Sequence, residues 1–161
     1  MTSTVFYSFH YEHDVHRVQL VRNIAALQGQ PLLNSQEWEK VRGRGDGAIQ
    51  GWIDEQMSYK RAVVVLVGRD TATRPWVIYE IQKAWRERRA LLGVRIHGLS
   101  SMGEVDREGG NPFAAAQLDP LRIPLFDPTV YTPAGRIDSQ ATYAGLASRL
   151  VGWAGQGVTA P

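Results

Sequence analysis

The stretch that most constrains this chain is Ala62-Val63-Val64-Val65-Leu66-Val67, six consecutive apolar residues ended by Gly68. A strand with one wet face alternates polar and apolar side chains, whereas a strand without alternation must be covered on both faces. The run is short and rich in valine, which favours a strand over a buried helix segment. Doubly covered strands belong to parallel sheets flanked by helices, so the run predicts an α/β architecture with this strand near its centre.

The flanking segments supply the rest of that architecture. Val5-Phe6-Tyr7-Ser8-Phe9 is a β-branched and aromatic run that predicts a first strand. Val18, Val21, Ile24, Ala25 and Gln28 recur at helical spacing, with Asp14 as the expected cap and Gly29 just past the end. Pro31-Leu32-Leu33 predicts a brief second strand, and a polar, glycine-bearing segment (34–47) leads to a helix carrying Ala48, Ile49, Trp52, Ile53 and Met57. Pro75 sits in the first turn of a further helix, where proline is tolerated. The stripe of that helix is Val77, Ile78, Ile81, Ala84 and Trp85. Ala90 to Ile96 and Ile123 to Phe126 predict the fourth and fifth strands, and a last helix covers Gln140 to Ala154. Trp52, Trp85 and Trp153 fall at apolar helix positions and are expected in the core.

Five strands alternating with helices describe an open, mostly parallel five-stranded sheet with helices on both faces, in one domain over residues 1–155. Residues 98–122 form a loop too long for a mere connector. Residues 156–161 are expected to be a flexible tail. With 161 residues the chain can bury a sizeable core without staples. The absence of cysteine excludes disulfides, thiolate metal sites and cysteine nucleophiles. The apolar run is far shorter than the ~20 residues that span a bilayer. The N-terminus enters the first strand without a basic, apolar leader, so a cytoplasmic protein off the membrane is expected. Net charge is only +2, with acids interspersed among the basic residues, which argues against a nucleic-acid partner.

In open α/β sheets, ligands bind outside the carboxyl ends of the strands. That edge collects Ser8 to Asp14, the segment from Asn34 onward, Gly68 to Glu80, and His97 onward. Trp76 and Glu80 lie four apart on one helix and share a face, away from the Val77, Ile81 and Ala84 stripe. A carboxylate there can hold ribose hydroxyls and offset the positive charge that grows as a glycosidic bond breaks. It can equally be a surface glutamate favoured by a helix N-terminus. Ser8-Phe9-His10-Tyr11 offers a hydroxyl and amides for phosphate and aromatics for a base, or simply a core residue and a capped turn. Trp38 and Trp76 are the tryptophans nearest the edge. His10, His13 and His16 recur every three residues, but His10 precedes the helix and no acidic second shell is evident, so no metal site is expected. Neither glycine-rich phosphate motif occurs.

Taken in order, Ser8-Phe9-His10-Tyr11-Glu12-His13-Asp14, Gly45-Asp46, Trp52-Ile53-Asp54-Glu55-Gln56, Val63 to Gly68, Trp76-Val77-Ile78-Tyr79-Glu80-Ile81 and Gly93-Val94-Arg95-Ile96-His97 resemble the TIR-like family. In particular they resemble the branch that forms the sensor-synthase component of bacterial Thoeris antiphage systems. The likeness runs from about residue 4 to residue 98. It implies a flavodoxin-like TIR fold and consumption of NAD as substrate, with no separate cofactor. It also implies that the glutamate of the W-x-x-x-E segment, Glu80, is catalytic. Ser8, Phe9, His10, Tyr11, Asp14, Asn34, Trp38, Asp46 and Trp76 are the positions it suggests for substrate contact. A cyclic or conjugated ADP-ribose product would signal to a separate effector protein, after a phage-derived trigger and homo-oligomerisation. Two other classes remain open at this point. One is a non-catalytic TIR-like scaffold, which a cleft blocked by its own side chains would favour. The other is a phosphoacceptor domain, against which the central strand ends without an aspartate.

Overall fold

The computed structural model describes residues 4–27, 41 and 43–161. Its elements are β1 (Val5–Phe9), α1 (Tyr11–Leu27), α2 (Asp46–Ser58), β2 (Ala62–Val67), a 3-10 turn (Thr71–Thr73), α3 (Pro75–Arg86), β3 (Ala90–Arg95), α4 (Pro112–Ala115), β4 (Leu125–Phe126) and α5 (Ser139–Ala154). Among the described residues the sheet has four strands in the order β1-β2-β3-β4, all parallel. The strand expected at Pro31-Leu32-Leu33 lies outside the described residues, as do Asn34 and Trp38.

All six residues of β2 are buried, which the missing alternation required. The strand period of two divides them between two cores. Ala62, Val64 and Leu66 join Val5, Tyr7, Leu92 and Val94 beneath Val18, Val21 and Ile24 of α1 and Leu146, Leu150 and Trp153 of α5. Val63, Val65 and Val67 join Phe6 and Leu91 beneath Ile49, Ile53 and Met57 of α2 and Val77, Ile81 and Ala84 of α3. Full burial of each such side chain contributes about 1.5–3 kcal/mol. No helix among the described residues is long and apolar enough to cross a membrane.

Three expectations change. The helix after β1 begins at Tyr11, so Asp14 sits inside it and caps nothing; its amide donates to His10 O at 3.0 Å. The long loop is packed into the fold. Phe113 of α4 is fully buried against the α3 side, in space that Gly93 leaves open: a Cβ on Gly93 would lie 3.1 Å from the Phe113 ring. Asn111 caps α4 by accepting from Phe113 N at 2.8 Å. The segment expected as a loose tail is tied to β3, where Leu91 and Val158 exchange two backbone hydrogen bonds of 2.8 and 3.0 Å.

Arg17 of α1 carries the same message from the other side of the sheet. It is buried, its Nε donates to Leu99 O at 2.8 Å, and its Nη2 donates to Glu104 O at 2.9 Å. One guanidinium therefore holds the first third of the loop against α1.

Phe113→Ala should destabilise the protein by about 3–5 kcal/mol in denaturant unfolding, the cost of emptying a core aromatic site. A loss below about 1 kcal/mol would return residues 98–122 to the status of a peripheral loop.

Candidate active site

The site forms where α3 crosses the carboxyl end of β1. Strand alternation sends Phe6 and Ser8 to the α3 side of the sheet. There the Ser8 hydroxyl, fully buried, donates to Glu80 Oε1 at 2.9 Å. Glu80 is itself buried, only 7% exposed. The expectation that it would stand clear of the packed face therefore gives way to a carboxyl set inside the protein, at the inner wall of a cleft. Burial pushes its pKa from 4.5 up to about 8, and the Ser8 hydrogen bond, which favours the carboxylate, only moderates the rise.

The cleft has a volume of about 700 Å³ counted out to its open mouth. It is lined by Phe6, Tyr7, Phe9, His10, Tyr11 and Glu12 from β1 and the start of α1, by Trp52 from α2, and by Arg74, Pro75, Trp76, Val77 and Glu80 from α3 and its N-cap. Trp76 stands edge-on to Tyr79 at 5.6 Å, and Tyr79 donates to Asp54 of α2 at 2.6 Å. These contacts brace the tryptophan from outside the cleft. Burial lowers the pKa of His10, and the charges of Arg74 and His13 add to the effect against Asp70 and Glu12, so its neutral form is favoured.

Phe9, His10, Tyr11, Trp76 and Glu80 thus come together in one cleft, while Ser8 is absent from its lining and is joined to the site through its hydrogen bond to Glu80. Asp46 does not join them, because it is an exposed first-turn residue of α2. Asp14 is absent from the cleft lining as well. It lies buried below Gly68, where an added Cβ would sit 2.3 Å from its Oδ2. Trp52 departs from expectation in the opposite sense: it is half-buried and walls the cleft. The buried stripe of α2 is Ile49, Ile53 and Met57, a run of i, i+4, i+8, and Trp52 lies one position off it. That offset was the available signal. Arg74 carried no comparable signal, since only the fold brings a residue ahead of α3 to the cleft mouth.

Beside the cleft, His13, Asp14 and Asp106 approach one another closely enough to share an ion. The cluster already holds a cation, because Arg17 Nη1 lies 3.0 Å from Asp106 and 3.7 Å from Asp14. His13 Nε2 lies 2.7 Å from Asp106 Oδ2. Burial raises the Asp14 pKa to about 6 even though His13 and Arg17 pull it down.

A parallel α/β sheet with helices on both faces is consistent with a TIR-like domain, and comparison with known proteins agrees. Residues 6–101 match the family described as Thoeris protein ThsB, TIR-like domain, and the chain belongs to that family. It is similar to the Bacillus cereus (strain MSX-D12) protein named "Putative cyclic ADP-D-ribose synthase ThsB1", with 30% identity over 119 residues. The alignment covers 70% of this chain and 62% of that relative, so the chain spans about three fifths of the relative's length.

The buried carboxyl makes a prediction about stability. With a pKa near 8 in the folded protein and 4.5 ordinarily, Glu80 keeps a proton on folding that the unfolded chain releases. Stability is therefore fullest below the unfolded value and declines as pH rises from 4.5 through 8. Glu80→Gln cannot ionise, so its melting temperature should match that of wild type near pH 5 and exceed it increasingly toward pH 9. Asp14 titrates in both proteins and drops out of the comparison. A difference that is constant with pH would place the Glu80 carboxyl in water.

Proposed function

We propose that the cleft binds NAD, breaks its nicotinamide–ribose bond and yields a cyclic or conjugated ADP-ribose signal in antiphage defence. The observation that carries this is the buried Glu80 carboxyl, held by Ser8 at the inner wall of an aromatic cleft. The name of the Bacillus cereus relative supports the same chemistry. Side chains of the described residues leave the cleft open, which favours an enzyme over a non-catalytic scaffold.

NAD brings its own leaving group. The nicotinamide is cationic in the substrate and departs as a neutral molecule with the electron pair of the glycosidic bond, so no general acid is needed. Positive charge then spreads over the ribose C1′ and ring oxygen. A carboxylate beside it stabilises that charge most where water is excluded. Glu80 holds a proton in the empty cleft at neutral pH, since its pKa is about 8. A cation bound against it favours the ionised form, and the proton leaves to solvent. The charge is thus created when substrate arrives.

Phe9, Tyr11, Trp52 and Trp76 offer faces on which an adenine can stack. In a cleft they keep dry, a nitrogen of that same adenine captures C1′ and closes a ring; another bound nucleophile gives a conjugate, and water gives ADP-ribose. The product would act on a separate effector, with activity raised by homo-oligomerisation after a phage-derived trigger.

Mass spectrometry of NAD incubated with the protein over a range of concentrations tests this directly. Wild type should convert NAD, with the product mass separating ring closure, conjugation and hydrolysis. Glu80→Gln should be slower by about 100-fold or more, as expected for loss of a charge-stabilising group. Equal turnover by the two proteins would remove Glu80 from the chemistry.

The pH profile is a separate test. The value of kcat/KM should rise with pH through about 8, the free-enzyme pKa of Glu80. In Ser8→Ala the midpoint should move to higher pH, because the lost hydroxyl favoured the carboxylate. A flat profile, or a midpoint unmoved by Ser8→Ala, would contradict the assignment.

A further inference from the structure

Among the described residues, four ionisable side chains other than tyrosines line the cleft: His10, Glu12, Arg74 and Glu80. They are not evenly placed. Glu80 is buried at the inner wall, whereas Arg74 is exposed where α3 begins. Arg74 is the only lysine or arginine among the described lining residues, and His10 beside it is biased to the neutral form. The side chain of Arg74 makes no hydrogen bond or ion pair with any described residue, and nearby Asp70 is engaged by Arg69 at 3.1 Å. Among the described residues the cleft is therefore polarised, with a buried acid inside, and at the rim the exposed Glu12 and one guanidinium that no described side chain engages.

We propose that Arg74 makes the cleft selective for a pyrophosphate-bearing dinucleotide by gripping the pyrophosphate while the cationic nicotinamide end lies against Glu80; this rests on the NAD-cleaving function proposed above. The charge order of the cleft matches the charge order of such a substrate, a cationic head followed by an anionic middle. The spacing matches as well. Arg74 precedes Glu80 by six residues, roughly 9 Å along the helix axis. A ribose and its 5′ arm separate the scissile bond from the first phosphate, a distance of that order once the reach of an arginine is counted.

A guanidinium suits the task because its planar fork takes two phosphate oxygens at once and stays charged at any working pH. Its exposure keeps it solvated until the substrate arrives, so binding need not break an existing pair. The aromatic walls would then hold the base beyond the pyrophosphate. Arg74 would thus set which molecules enter in productive orientation, and Glu80 would act on the bond thereby placed beside it.

Isothermal titration can separate this role from the reaction. The ligands are NAD on the Glu80→Gln protein, whose expected slow turnover leaves NAD intact during the titration, ADP-ribose on wild type, and nicotinamide riboside, which lacks phosphate, on Glu80→Gln. Adding Arg74→Ala should weaken NAD and ADP-ribose about tenfold or more, the effect of a lost charge-assisted contact. It should leave nicotinamide riboside unchanged. Arg74→Lys should recover part of the loss. Raising ionic strength should weaken NAD binding less in the Arg74→Ala protein than in its parent. Because Arg74 is exposed, the melting temperature should hold.

Unchanged NAD affinity, or an equal loss for nicotinamide riboside, would overturn the proposal. If NAD binds through Arg74 but wild type never consumes it, the reaction fails and the Arg74 assignment stands. If NAD is consumed and Arg74→Ala binds it normally, Arg74 alone is excluded. Failure of NAD and ADP-ribose to bind at all would remove both.

Discussion

Burial of β2 on both faces is the constraint from which the rest of the molecule follows. Six residues with no polar member leave no side of the strand that water can wet, so neighbours must cover both. β1 and β3 flank it in parallel, α1 and α5 close one face, and α2 and α3 close the other. Parallel strands place all their carboxyl ends on one edge, and the chain leaves every strand there. That edge is where Ser8, Gly68 and the N-terminus of α3 converge. A cleft at this edge is therefore a consequence of the sheet, and its chemistry is set by the side chains that happen to crown the strands.

The edge is also where packing is tightest. Gly68 leaves room for the Asp14 carboxylate, and Gly109 allows the long loop to lie on the backbone of Gly68, whose oxygen would be 2.2 Å from an added Cβ. Arg95 reaches across to Gly109 O at 2.8 Å. Together with the Arg17 contacts to Leu99, Glu104 and Asp106, these bonds make residues 98–122 a wall of the domain and not an appendage. The network stands next to the cleft, where His10 stacks on His13 at 5.9 Å. Rigid surroundings of this kind help a site keep its groups in place without the substrate having to order them.

Within the cleft the central fact is a carboxyl held where charge is unwelcome. Burial raises the Glu80 pKa, and one hydroxyl from β1 offsets part of that rise. Strongly perturbed acids in clefts mark functional sites more often than surface ones do. The same burial that disfavours the anion in the empty protein strengthens its attraction for a cation once one is bound. In the proposed reaction, stability and function would pull against each other at this residue.

The sequence by itself determined the architecture, because it is written in local periodicities: the unalternating β2, the stripes of α1, α2, α3 and α5, and Pro75 at the start of α3. It also determined the family, and through the Trp76 and Glu80 spacing it pointed to the pair that share the cleft wall. Pairings between distant segments carry no local period, so only the tertiary structure decided them. Ser8 meets Glu80 across 72 positions of chain, Asp14 turns into the body of α1 to lie under Gly68, and Asp46 remains on the surface. Trp52 looked like core because its neighbours Ile49 and Ile53 are; one step of helical phase, some 100° of rotation, turned it to the cleft instead. Phe113 sits in a segment with no strand or helix pattern, yet its ring fills the space left by Gly93. Burial depth and long-range contact depend on how elements cross, and those crossings exist only in the folded chain.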